Sequence, residues 1–205
     1  MKELFTSRWV WGILVAVLIA AGGAFFDSPA SAPRAGFNLG SRDERAANTE
    51  HISDETFSGF EKDFGSYFIE QGWLESEELS RPGVFFYLKE GTELDKPTSN
   101  ISVSASENRY SAEEAQLFAR AIDQQLREQI SSDVAEYFGG GSFTENGYPL
   151  ITMTIVAADG IRTVQYYIVG DYRFVMVHLT DFNDERILDA EAAALSIVNS
   201  FVWAD

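Results

Sequence analysis

The sequence predicts an α+β fold, a mainly antiparallel sheet covered by helices on both faces: an α/β/α sandwich. Three observations predict it. Residues 148–180 read YPLITMTIVAADGIRTVQYYIVGDYRFVMVHLT, three β-rich runs joined at Ala158-Asp159-Gly160 and Gly170-Asp171, the pattern of an antiparallel meander. Residues 111–130 and 184–202 switch to helical spacing of their apolar residues. Residues 172–180 are apolar on both sides, with Val175, Val177 and Leu179 on one face and Phe174 and Met176 on the other. A strand buried on both sides needs helices or loops over both faces of its sheet.

In chain order, residues 1–8 form a short cytoplasmic tail. Residues 9–26 contain no charge and, as a helix, span roughly 27 Å, the lower limit for crossing a bilayer. Lys2 and Arg8 precede this run and acidic residues follow, which keeps the N-terminus inside and exports the rest. Trp9 and Trp11 stand where an interfacial aromatic belt belongs. A cleaved signal peptide competes, with Ala30-Ser31-Ala32 as its exit and Gly22-Gly23-Ala24 as a weaker second one. The length of the apolar run and the Pro33 after that exit favour an uncleaved anchor. Residues 27–56 read as a flexible linker whose only large apolar residues are Phe37, Leu39 and Ile52. As a coil they span roughly 30 Å. His51 lies in the linker and reads as solvated.

The folded domain occupies 57–205. GSYFIE (65–70) and VFFYLK (84–89) read as strands, with Trp73 after the first plugging one end of the core and Arg81-Pro82-Gly83 as a turn. NISVSAS (100–106) alternates strictly, Ile101, Val103 and Ala105 against Ser102, Ser104 and Ser106, which predicts a half-buried strand. Ser111 and Glu114 make a capping box for a helix over 111–130, with Ala115, Phe118, Ile122, Leu126 and Ile130 on its core face. Gly139-Gly140-Gly141 reads as a hairpin tip or hinge, and 142–145 as a short strand. Asn146-Gly147 is a two-residue hairpin signal. A second helix over 184–202 carries Ile187, Leu188, Leu195, Val198, Phe201 and Val202, with Ala192 and Ala194 for close packing.

Composition bounds the chemistry. The 205 residues include no cysteine, which excludes disulfides, thiolate metal sites and a cysteine nucleophile. Net charge is −17, and beyond residue 34 there are 12 basic against 30 acidic residues. Such a surface repels phosphate backbones, so nucleic acid is excluded as a partner.

No catalytic, cofactor-binding or metal site is assigned. His178 has no nucleophile or carboxylate orienter recognisable in the sequence, and reads as a structural histidine at a sheet edge. Asp181, Asn183 and Glu185 echo a calcium loop, but Arg186 stands where the turn glycine belongs, so helix capping explains them better. Gly139–Gly141 lacks the Gly-Lys-Ser/Thr of a phosphate loop. A carboxylate enzyme would need a pair such as Glu113 and Asp123 roughly 5–10 Å apart in a cleft. Phe85, Phe86, Tyr87, Tyr166, Tyr167 and Tyr172 read mostly as core, with outward-facing members available as a partner patch.

Five stretches resemble the PsbP-like family, with its Mog-type and DcrB-type relatives, over about residues 65–202. FIEQGW resembles the family's first strand and Gly-Trp corner. NISVSASENRYSAEEAQLFA resembles its strand running into a capped helix. NGYPLITMTIV and IRTVQYYIVGDYRFVMVHLT resemble its closing meander, and AALSIVNSFVW its last helix. The resemblance implies an antiparallel sheet between helices and a role in binding other proteins. Members serve photosystem assembly, partner a nuclear GTPase, or are secreted bacterial proteins, some of which neutralise toxins. It brings no catalytic residue and no cofactor. The expected function is a membrane-tethered, extracytoplasmic, non-catalytic protein-binding or accessory domain, single-pass or, after signal cleavage, secreted or periplasmic. The alternatives are an exported immunity-type domain, a carboxylate-based enzyme, or a structural stabiliser of a membrane complex.

Overall fold

The structure, a computed structural model, describes residues 56–96, 98–130, 134–182 and 189–205. The expected tail, the membrane segment and the linker up to residue 55 lie outside the described residues. Among those described, no helix is long and apolar enough to cross a membrane.

The described residues form ten strands and two α-helices in order: β1 (Phe57–Lys62), β2 (Gly65–Glu70), β3 (Trp73–Glu75), β4 (Val84–Lys89), β5 (Asn100–Glu107), α1 (Ala115–Gln129), β6 (Val134–Phe143), β7 (Pro149–Ala157), β8 (Arg162–Gly170), β9 (Arg173–Asp181), α2 (Ala190–Ser200) and β10 (Val202–Trp203). Seven strands form one sheet in the order β3-β4-β5-β9-β8-β7-β6, and three form a second, β1-β2-β10. Every pairing among them is antiparallel. Both ends of the meander, and β2 and β4, fall within a residue of where the β-rich runs and turn signals place them.

The large sheet separates two cores. On one face α1 buries Phe118, Ala119, Ile122 and Leu126 against Met153, Tyr167, Phe174 and Met176. On the other, α2 buries Ala193, Ala194, Ile197 and Val198 against Val164, Ile168, Val175 and Val177. The small sheet joins this second core through Tyr67 and Ile69 of β2. The sequence announces β2 but not its partners: 57–62 does not read as a strand, and β10, two residues long, pairs with Gly65 and Ser66 from the far end of the chain.

Several local expectations are corrected. Gly139, Gly140 and Gly141 are neither tip nor hinge. They sit inside β6, paired with Met153, Thr152 and Ile151. The Asn146-Gly147 turn is a four-residue turn ending in a glycine bulge: Gly147 alone has positive φ (82°), and Thr144 bonds both Gly147 and Tyr148. The second meander turn is Asp171-Tyr172, not Gly170-Asp171. Gly170 stays in β8, where an added Cβ would meet the Trp203 ring at 3.0 Å. The serine side of β5 is not exposed, since Ser102 and Ser104 are buried. The α2 core face is Ala190, Ala193, Ala194, Ile197 and Val198. Ala192 is exposed, Val202 belongs to β10 and is exposed, and Ile187 and Leu188 lie outside the described residues.

The cap of α1 is more elaborate than a box. Its first turn, Ala112–Glu114, is 3-10. Glu114 accepts the Ser111 N–H at 3.0 Å, and Asp171, from the β8–β9 turn, accepts the Ala112 N–H at 2.9 Å. The helix start is thereby tied to the meander.

Candidate functional site: the open edge of the large sheet

Among the described residues, the seven-stranded sheet ends on β3, three residues long, and on β6, ten residues long. A free strand edge presents unpaired N–H and C=O groups to any extended chain that reaches it. The groups that β6 presents follow from its turn. Thr144 donates its N–H to Tyr148 O and accepts the Gly147 N–H, both at 2.9 Å, so its backbone faces β7. Backbone direction alternates along an antiparallel strand. Ser142, Gly140 and Phe138 therefore also bond β7, while Phe143, Gly141, Gly139 and Tyr137 turn their N–H and C=O outward. A bulge between Val134 and Glu136 ends the regular run.

Side chains do little to guard this edge. Gly139 and Gly140 are exposed, and an added Cβ on Gly140 would meet nothing within 4 Å. Phe138, on the α2 face, is 55% exposed. Tyr137, on the α1 face, is fixed: its hydroxyl donates to Asp123 at 2.8 Å, and the Arg127 guanidinium lies 4.8 Å from its ring centre. Burial, then the Asp123 hydrogen bond, raises its hydroxyl pKa above the ordinary value. Arg127 is itself held by Asp123 at 3.0 Å. The devices that blunt natural edges, lysine, proline or a very short strand, are missing between Tyr137 and Phe143.

The residues singled out in the sequence fall elsewhere. His178 lies on the inner strand β9, not at a sheet edge, on the face of Phe174 and Met176 as expected. It is 1% exposed, with Ser102 and Gln165 as its cross-strand neighbours. Its Nε2 shares a hydrogen bond with Thr180 Oγ1 at 3.2 Å, and its Nδ1 has no partner among the described residues. Gln165 accepts the Tyr167 hydroxyl at 2.7 Å and leaves its Nε2 unpartnered. Burial pushes the imidazole down to about 4, so it is neutral at pH 7. Neutral neighbours and the want of a carboxylate orienter leave it a packed polar residue rather than a base.

Glu113 and Asp123 stand ten residues apart on one helical segment, about 15 Å of rise, which exceeds the glycosidase separation. Asp181 accepts from Ser99 and Arg162, while Asn183 and Glu185 lie outside the described residues. No group of three His, Asp or Glu side chains among the described residues is placed to hold a metal. The aromatics of β4 and β8 are not neighbours, since β5 and β9 intervene. Phe86, Tyr87, Tyr166 and Tyr167 are core, and Tyr172 is the exposed member.

Sequence reasoning missed the open edge because the glycine run was read by propensity. Its register was legible only with β7 beside it.

No family model matches the chain, and no curated protein matches it. Among solved structures it is similar to the solution structure of the cyanobacterial PsbP protein CyanoP from Synechocystis sp. PCC 6803, at 12% identity over 77% of this chain and 98% of that one, with a TM-score of 0.42. It is also similar to a crystal structure of a protein from Bacteroides thetaiotaomicron, at 16% identity over 73% of this chain and 49% of that one, with a TM-score of 0.41. The functional reading rests on the chain's own residues.

Proposed function

We propose that this is a membrane-tethered, extracytoplasmic, non-catalytic accessory domain that binds another protein by accepting one of its strands along β6. The observation that carries the reading is the ten-residue edge strand with outward-facing backbone at Tyr137, Gly139, Gly141 and Phe143. Strand addition takes its affinity from main-chain hydrogen bonds and its specificity from alternate side chains. The uncharged run over 9–26 supports the tether, and the basic residues ahead of it support export of the domain.

Gly141→Pro tests the binding. It removes an outward N–H and leaves the bonds of Gly140 and Ser142 to β7, a place where an edge strand tolerates proline. The variant keeps its fold and loses at least tenfold in affinity for the partner recovered by crosslinking from the native envelope. Undiminished binding refutes the β6 site. The tether is checked by carbonate washing and N-terminal sequencing: a soluble chain starting at Pro33 or Phe25 contradicts it.

A further inference from the structure

Resting on that reading, we infer what kind of strand β6 accepts: a foreign segment of about ten residues with Lys or Arg at both ends and bulky apolar or aromatic residues in the middle. Two features of the edge specify it. The first is charge. Glu136 and Glu145, both exposed, bracket the open run. Glu136 stands near the start of β6 and Glu145 in the turn after it, with the seven strand residues 137–143, about 23 Å, between them. Around them the domain is strongly acidic, and the nearby Arg127 is held by Asp123. Cationic residues at the two ends of an incoming strand meet these carboxylates, and the field of the whole body draws them in.

The second feature is the empty middle. Gly139, Gly140 and Gly141 carry no side chains on either face. An incoming strand therefore has room for large residues above them, flanked by Phe138 on one face and by Tyr137 and Phe143 on the other. Large residues laid across strand glycines cover backbone that is otherwise left wet. This is the complementary half of a surface that the chain leaves unfilled.

A second copy of the chain is a poor occupant on both counts. The backbone directions allow two β6 strands to pair antiparallel about Gly140, with Gly139 opposite Gly141 of the other copy. That register sets glycine against glycine. It also brings Glu136 within one residue of Glu145 of the other copy at each end. Like charges so placed oppose the pairing.

The test titrates the full chain with two synthetic peptides sharing one alternating Tyr/Val/Thr centre, one ending in Lys at both ends and one in Glu. The Lys-ended peptide binds at least tenfold more tightly. Its affinity falls as NaCl rises from 50 to 300 mM, and Gly141→Pro removes it. Equal binding of both peptides, lost together in Gly141→Pro, overturns the charge specification while leaving the edge as a strand acceptor. Binding unaffected by Gly141→Pro, or no binding of either peptide, overturns the inference and the strand-acceptor reading with it. Self-association of the full chain that Gly141→Pro abolishes assigns the edge to a second copy. The linker itself holds RAGFNLGSR (34–42), with arginine at both ends and Phe37 and Leu39 between them, and tighter peptide binding by an Arg34→Glu, Arg42→Glu chain assigns the edge to that segment. Either result overturns the foreign partner.

Discussion

Burial holds His178 neutral, and that ties stability to pH. Its folded pKa is lowered to about 4 from the ordinary 6.5, by desolvation. Between those values the unfolded chain binds more protons than the folded one, so acid favours unfolding. The destabilisation is absent above pH 6.5, grows as pH falls to 4, and is constant below. Its full size is about 3 kcal/mol. His178→Gln is expected to flatten melting temperature against pH in that window relative to the parent chain. An unchanged slope contradicts the assignment. Tyr172 is strained instead through its backbone, at φ 58°, with its N–H given to Tyr110 O and its C=O taking the Asn108 N–H. A bulky residue there costs about 1–2 kcal/mol, and the ring, 61% exposed, recovers little. Tyr172→Gly should melt no lower than the parent chain. A clear drop would mean that the ring packs. Neither residue's depth was legible in the sequence. Alternation gave His178 and Ser102 their face, but β5 and β9 became inner strands only through pairings that span the chain.

At the scale of elements, glycine makes the sharpest contrast. Gly65 opens β2 where an added Cβ would lie 2.3 Å from Val202 O, so Gly65→Ala pushes β10 away from β2. We expect a loss of about 2 kcal/mol or more, read by chemical denaturation, as for other changes that break packed backbone contacts. Gly140 has open space and a strand conformation, so Gly140→Thr should gain about 0.5–1 kcal/mol. Equal behaviour of the two variants contradicts that contrast. The helices were legible because their apolar stripes are local. The 139–141 run was not, since three glycines carry no periodicity and only the β7 register shows them to be strand.

As a whole, the described residues form two cores on either side of one sheet, closed by helices and by the small sheet, with one long edge that none of them covers. Reading the meander gave the antiparallel class and both covered faces. The uncovered edge is a property of strand order, which no single stretch encodes. Amide hydrogen exchange at 139–142 probes that edge most directly. In the free protein Gly140 and Ser142, bonded to β7, exchange slowly, and Gly139 and Gly141 exchange fast. Adding the Lys-ended peptide slows Gly139 and Gly141 and leaves Gly140 and Ser142 as they were. Slow exchange of Gly139 and Gly141 in the free protein, or no change on adding the peptide, contradicts an open edge that accepts a strand.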